Sequence, residues 1–192
     1  MRRALWIVAA AALVAVVVIG LTQAKPQENE AKAPAFDLQA ARRQLEGSPA
    51  PLAALHRDAN RLLPGGTKAF EDRLTKLEGH PVVINKWASW CGPCRAELPI
   101  LQEVATERGR EIAFVGVNAR DKRPAAERFA ERFPVPYPSY EDPDEKIARQ
   151  LKVPANFPAT VLVDARGKTV FTHQGGYAAA EDLQADLDKY LG

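Results

Sequence analysis

The tetrapeptide Cys91-Gly92-Pro93-Cys94 constrains this chain most, because it holds both of its cysteines and stands where one kind of periodicity gives way to another. Upstream, Val82-Val83-Ile84 is a short apolar run of the kind that forms a buried strand. Downstream, a helical stretch leads to a second such run, residues 112–117. A strand, a helix and a strand in that order pair in parallel, which puts the cysteines at the N-terminus of the crossover helix. Free backbone N–H groups and the helix dipole favour negative charge there, so Cys91 is expected to ionise more readily than a free thiol and to act as the nucleophile at the mouth of the site. Cys94 follows almost one turn later on the same face, turned inward and placed to attack a mixed disulfide formed at Cys91. Gly92 adds no side chain at the mouth, and Pro93 suits the first helical turn, where a missing N–H is tolerated.

The other chemistries of a cysteine pair fit poorly. Two cysteines exclude a disulfide-stapled scaffold and an all-cysteine zinc site, and His56, His80 and His173 are scattered without a ligand spacing, so no metal is expected. Covalent haem attachment needs a histidine directly after the second cysteine, where Arg95 stands. A purely structural disulfide across so short a loop would constrain little of the unfolded chain. Redox exchange is what remains, with no cofactor expected. Beyond Arg2 and Arg3 the chain balances its basic and acidic side chains at 24 each, so the basic surplus of a nucleic-acid binder is missing and no nucleic-acid partner is expected.

Four stretches organise the chain. Arg2-Arg3 precede residues 4–21, an apolar run without a charged or polar side chain, which as a helix would reach about 27 Å and nearly span a bilayer core. Residues 1–21 therefore read as a transmembrane signal anchor of a single-pass protein, N-terminus in the cytoplasm and the bulk of the chain outside. A cleaved signal peptide ending at Thr22-Gln23-Ala24 is the rival reading. Residues 22–35 mix Pro, Ala, Glu and Lys without an apolar period and form a solvated linker. Residues 36–79 carry three helical stripes: Leu38, Ala41 and Leu45; Leu52, Leu55, Ala59 and Leu62; and Phe70, Leu74 and Leu77. They are expected to be a helical extension packed on the domain that follows, residues 80–192. In that domain helices are expected over 125–133 and 145–151, and an antiparallel hairpin of 160–163 with 169–172. Leu183, Leu187 and Leu191 mark a last amphipathic helix.

The run Trp87-Ala88-Ser89-Trp90-Cys91-Gly92-Pro93-Cys94 resembles the active-site segment of the thioredoxin superfamily. It most closely resembles the exported, membrane-tethered TlpA-like and ResA-like branch, which includes the cytochrome c maturation thioredoxins. The resemblance covers roughly residues 81–192 and implies an α/β thioredoxin-like fold, a central mixed sheet flanked by helices. Pro99 matches the proline of the family's active-site helix. Phe157-Pro158-Ala159-Thr160-Val161 resembles its cis-proline strand entry, and residues 118–153 its characteristic insertion. Two features depart from the cytoplasmic or common pattern. Asn85 stands where cytoplasmic thioredoxin has a buried acid, and residues 36–79 show helices where relatives usually carry a β-hairpin. Glu97, three residues after Cys94, matches an acid that the exported branch keeps near its site.

The resemblance implies a thiol:disulfide oxidoreductase acting on disulfide-bearing or dithiol proteins, with a membrane electron donor or acceptor. Gly-Pro between the cysteines resembles the reducing end of the superfamily, so a reductant is the leading reading, with apocytochrome c among its substrates; an oxidant that introduces disulfides is the alternative. A thiol peroxidase would place Thr or Ser, and Pro, where Ala88 and Ile84 stand. A non-catalytic binding module of this fold commonly loses the cysteine pair. Cys91 and Cys94 are thus the candidate redox-active disulfide, and Trp90, Gly92, Pro93, Phe157 and Pro158 the candidate substrate-binding residues. Glu97 either tunes or relays the proton of Cys94, or merely complements the helix dipole. Trp87 is expected in the core, and Gly175-Gly176 either lets the backbone approach the groove or simply makes a turn. Lys86, at the end of a buried strand, has no account from the sequence beyond snorkelling of its stem.

Overall fold

The computed structural model describes residues 35–192. The expected anchor, residues 1–21, and nearly all of the linker lie outside the described residues. Among the described residues no helix is long and apolar enough to cross a membrane.

The elements run α1 (Leu38–Gln44), α2 (Ala50–His56), β1 (Leu62–Leu63), α3 (Gly66–Lys76) and β2 (Val82–Trp87). Next come α4 (Gly92–Arg108), β3 (Ala113–Ala119), α5 (Arg123–Arg132) and β4 (Ser139–Asp142). The chain closes with α6 (Lys146–Gln150), β5 (Ala159–Val163), β6 (Thr169–Gln174) and α7 (Ala180–Leu191). The strands form one sheet in the order β1-β4-β3-β2-β5-β6. The first four are mutually parallel, β5 runs antiparallel to β2, and β6 antiparallel to β5. This is the expected central mixed sheet, with the parallel pair and the final hairpin both in place.

Every residue of β2 and β3 is buried, because helices cover both faces of the sheet there. Alternation along each strand divides the core in two. Val82, Ile84, Val115, Val117 and Val161 pack with Leu52, Leu55, Phe70, Leu77 and Ile147 on one face. Val83, Phe114 and Leu162 pack with Leu98, Leu101, Val104, Leu183 and Leu187 on the other. Burying one such leucine fully contributes about 2 kcal/mol, so the stripes of α2, α3, α4 and α7 bind those helices to the sheet. At Gly116 the backbone of β3 passes close to its neighbours: a Cβ there would overlap the Ser139 side chain and lie 3.0 Å from Trp87 Nε1.

The expected helical extension shares this core, and Phe36–Gly192 is one compact unit. It is also not wholly helical. Leu62, expected on the second helical stripe, belongs to β1, which pairs with β4 at the sheet edge. The stripe breaks because α2 stops at His56 and Asn60 turns the chain at φ 63°. Its side chain donates to Ala130 O and accepts from Val135 N, both at 3.1 Å, and its own N–H donates to Tyr137 O. Strand β4, Ser-Tyr-Glu-Asp, has no apolar signature. Its buried positions are held by specific bonds instead: Asp142 accepts from the N–H groups of Ile147 at 3.0 Å and Ala148 at 2.9 Å, and Tyr140 meets Phe70 edge to face.

Candidate active site

The end of β2, the start of α4 and the entry to β5 meet at one end of the central strands. Cys91 is the N-cap of α4, and the backbone N–H of Cys94 donates to Cys91 Sγ at 3.1 Å. A helix N-terminus leaves its first amides unpaired, and here one of them points at the sulfur that would carry charge after reduction. Cys91 and Cys94 are joined in a disulfide. Both are buried in this form, Cys91 at 4% exposure and Cys94 at 1%, so the open first sulfur expected at the mouth is not seen. The reason is local: Trp87, Ala88 and Ala126 form one buried cluster with the pair, and Leu62, Phe129 and Phe157 pack against it. Gly92 and Pro93 are exposed on the first turn of α4, and Pro99 lies inside the same helix.

Trp90 is the exposed aromatic of the motif, at 57% exposure, while Trp87 is buried as expected. Trp90 lies 4.9 Å, edge to face, from Phe157 and donates its indole N–H to Arg120 O at 2.9 Å. The Phe157-Pro158 peptide is cis, Phe157 is half-buried, and Pro158 is buried. Trp87 stacks on Phe129 and donates to Ser139 Oγ at 3.0 Å, which ties the motif to β4.

Glu97 is buried one turn beyond Cys94, on α4. Its Oε1 accepts from Asn85 Nδ2 at 2.9 Å, so the two residues singled out separately in the sequence form one buried pair. Its Oε2 is buried without a hydrogen bond, and the Tyr177 backbone approaches the carboxyl without pairing that oxygen. Burial pushes the Glu97 carboxyl up to about 7, against the opposing pull of Asn85 and of the Tyr177 backbone. A Cβ on Gly176 would stand 3.5 Å from Glu97 Oε2 and 3.6 Å from Pro158 Cγ, so Gly176 borders both. Gly175 donates its N–H to Pro158 O at 3.0 Å.

Two groups of site residues escape a reading of the sequence alone. Asp121 accepts from Ser89 N and Ser89 Oγ at 2.5 and 2.9 Å and from Asn118 Nδ2 at 3.0 Å, holding the loop before Cys91. Its signal is indirect: parallel pairing sets Trp87 opposite Asn118 and brings the loops after β2 and β3 together. Lys86 is 2% exposed and pairs with Glu145, for which no sequence pattern gives a sign. Among the described residues no cluster of His, Cys, Asp and Glu could hold a metal ion.

A disulfide spanning a separation of three residues adds little to a fold this well packed. Set at a helix N-terminus with a carboxyl one turn behind it, the pair is there for exchange, and the class it defines is the thiol:disulfide oxidoreductase. The chain belongs to the Redoxin family, whose model matches residues 29–188, within the TlpA-like and ResA-like part of the thioredoxin superfamily. It is 32% identical over 126 residues to the thiol-disulfide oxidoreductase ResA of Geobacillus kaustophilus, over 63% of this chain and 69% of that protein. The structure of a thiol:disulfide interchange protein DsbE from Chlorobium tepidum matches with a TM-score of 0.57 at 30% identity, covering 62% of this chain and 85% of that one. A secreted disulfide oxidoreductase from Mycobacterium tuberculosis, homologous to E. coli DsbE, matches at 0.53 and 28% identity, over 60% and 85% of the two chains.

Proposed function

We propose that the protein is an exported reductant of protein disulfides. In this reading residues 1–21 hold it at the cell membrane, N-terminus in the cytoplasm and redox domain outside. A membrane donor reduces the Cys91–Cys94 pair, and the pair then reduces disulfide-bearing substrates, apocytochrome c among them. The likeness to a secreted oxidoreductase and the apolar run of residues 4–21 support the export; Gly-Pro between the cysteines supports the reducing direction.

The observation that carries the chemistry is the bond from Cys94 N–H to Cys91 Sγ with Glu97 buried one turn on. In the reduced enzyme the Cys91 thiolate attacks one sulfur of the substrate disulfide, and the other sulfur leaves as a thiolate. The Cys94 thiol gives its proton to Glu97 and attacks Cys91 Sγ. The Cys91–Cys94 bond forms, the mixed disulfide breaks, and Glu97 returns the proton to the departing sulfur. Two electrons pass from the dithiol to the substrate. Trp90, Phe157 and Pro158 form the wall against which an extended substrate segment lies, with Gly92 and Pro93 leaving the approach to the sulfurs low.

An equilibrium titration against glutathione tests the direction of flow. A potential below about −230 mV is expected, in the range of reducing members of this chemistry, whereas a value near about −120 mV would make the protein a disulfide-introducing oxidant. Fractionation followed by N-terminal sequencing tests the topology. Membrane-bound protein retaining residues 1–21 is expected, and a soluble mature chain starting at Lys25 would replace the anchor with a cleaved signal.

A further inference from the structure

Lys86 is the most deeply buried charge in the described structure that the exchange chemistry does not use. It follows Asn85 on β2, so its side chain leaves the sheet on the face opposite to Glu97. Its Nζ lies 2.9 Å from Glu145 Oε1, donates to Pro154 O at 2.9 Å, and stands 4.1 Å from the centroid of the Phe157 ring. An ammonium group at 2% exposure is retained only where partners replace its water, and here each partner belongs to a segment near the site. Glu145 heads α6 with its backbone at φ 54°, and its second oxygen lies 3.9 Å from Arg120 Nε. Arg120 O receives the Trp90 indole, and Trp90 meets Phe157. Lys86, Glu145, Arg120, Trp90 and Phe157 therefore form a closed ring of contacts beside the cysteines.

We infer that Lys86 is a positioning residue for substrate docking: its ammonium seats the Phe157 ring and ties the cis-proline loop through Glu145 to the loop that carries Trp90. A cation over an aromatic face in a desolvated site holds the ring more firmly than dispersion alone. Two loops that must present one docking edge are thereby fixed before a substrate arrives, which lowers the ordering cost of binding. The inference rests on the proposed docking of substrate at Trp90 and Phe157. It does not require Lys86 to touch the substrate or the sulfurs.

The test compares Lys86→Met, Glu145→Gln and Phe157→Leu in steady-state reduction of insulin and of a small aromatic disulfide, alongside reduction potential and thermal unfolding. Lys86→Met keeps the apolar stem and removes the charge. It is expected to raise KM for insulin about tenfold, with kcat, potential and small-disulfide reduction close to the parent. Glu145→Gln keeps the cation over Phe157 but loosens the ring, and is expected to raise the same KM by less. An equal loss on both substrates, or a changed potential with KM unmoved, would overturn the inference by making Lys86 a general support of the site. If Lys86→Met does not fold, the Glu145→Gln result decides: an unchanged KM for insulin overturns the inference. If Phe157→Leu leaves the insulin KM at the parent value, the docking reading itself fails. If Phe157→Leu raises it and Lys86→Met does not, only the role of Lys86 fails.

Discussion

Exchange of Cys91 for Ser is expected to reduce catalysed disulfide reduction to the uncatalysed rate, since a hydroxyl can form no mixed disulfide and Cys94 is the more deeply buried sulfur. Exchange of Cys94 for Ser is expected to abolish turnover as well, but for a different reason. Cys91 remains at the helix N-terminus and can still attack, while nothing remains to resolve the intermediate. The two variants thus share a turnover number near zero and differ in their product: Cys91→Ser stays free, and Cys94→Ser accumulates covalently bound substrate. Neither change should cost the fold much, because the short loop closed by the pair contributes little to stability. Insulin reduction assays with far-ultraviolet circular dichroism check both statements.

Glu97→Gln has the second large effect, and it is pH-dependent. Burial holds the folded carboxyl at about 7, well above its ordinary value of 4.5. Between these two values the folded state binds more protons than the unfolded state, so stability falls as pH rises through that window. The whole difference is on the order of 3 kcal/mol, fully incurred above pH 7 and absent below pH 4. The replacing glutamine cannot ionise, and its amide oxygen can still accept from Asn85 as the Glu97 carboxyl does. The variant should therefore match the parent in urea unfolding at pH 4 and exceed it by up to about 3 kcal/mol at pH 8. Activity should move the opposite way: with the proposed proton acceptor removed, the resolving step should slow by about 100-fold near pH 7 and the inflection there should leave the pH–rate profile. Stability and rate curves that overlay the parent's would reduce Glu97 to a charge that complements the helix dipole.

The parts of the fold legible in the sequence are those where one physical effect dominates. Val82-Val83-Ile84 and residues 112–117 are buried on both faces, so their apolar runs announce parallel strands, and the stripes at Leu52, Phe70 and Leu183 announce helices. Cys91 and Cys94 are legible because few chemistries use that spacing at a helix start. Pro158 is legible through family resemblance, and its peptide is cis. Strand β4 is not legible, because its burial depends on Asp142 caps and Tyr140 packing and not on an apolar run. Leu62 misleads because a leucine continues a helical stripe as readily as it starts an edge strand, and the turn at Asn60 that separates the two is held by partners remote in sequence. The Asn85–Glu97 pair and the burial of Lys86 depend on residues remote in sequence and have no local pattern.

In the proposed exchange Cys91 is the sulfur that meets the substrate and Cys94 the sulfur that releases it. Mass spectrometry of the reduced Cys94→Ser protein after incubation with a disulfide-bearing protein tests this most directly. A stable adduct mapped to a disulfide at Cys91, absent from a Cys91→Ser protein treated alike, is the predicted result. An adduct at Cys94 in Cys91→Ser with none at Cys91 in Cys94→Ser would reverse the two roles and contradict the account.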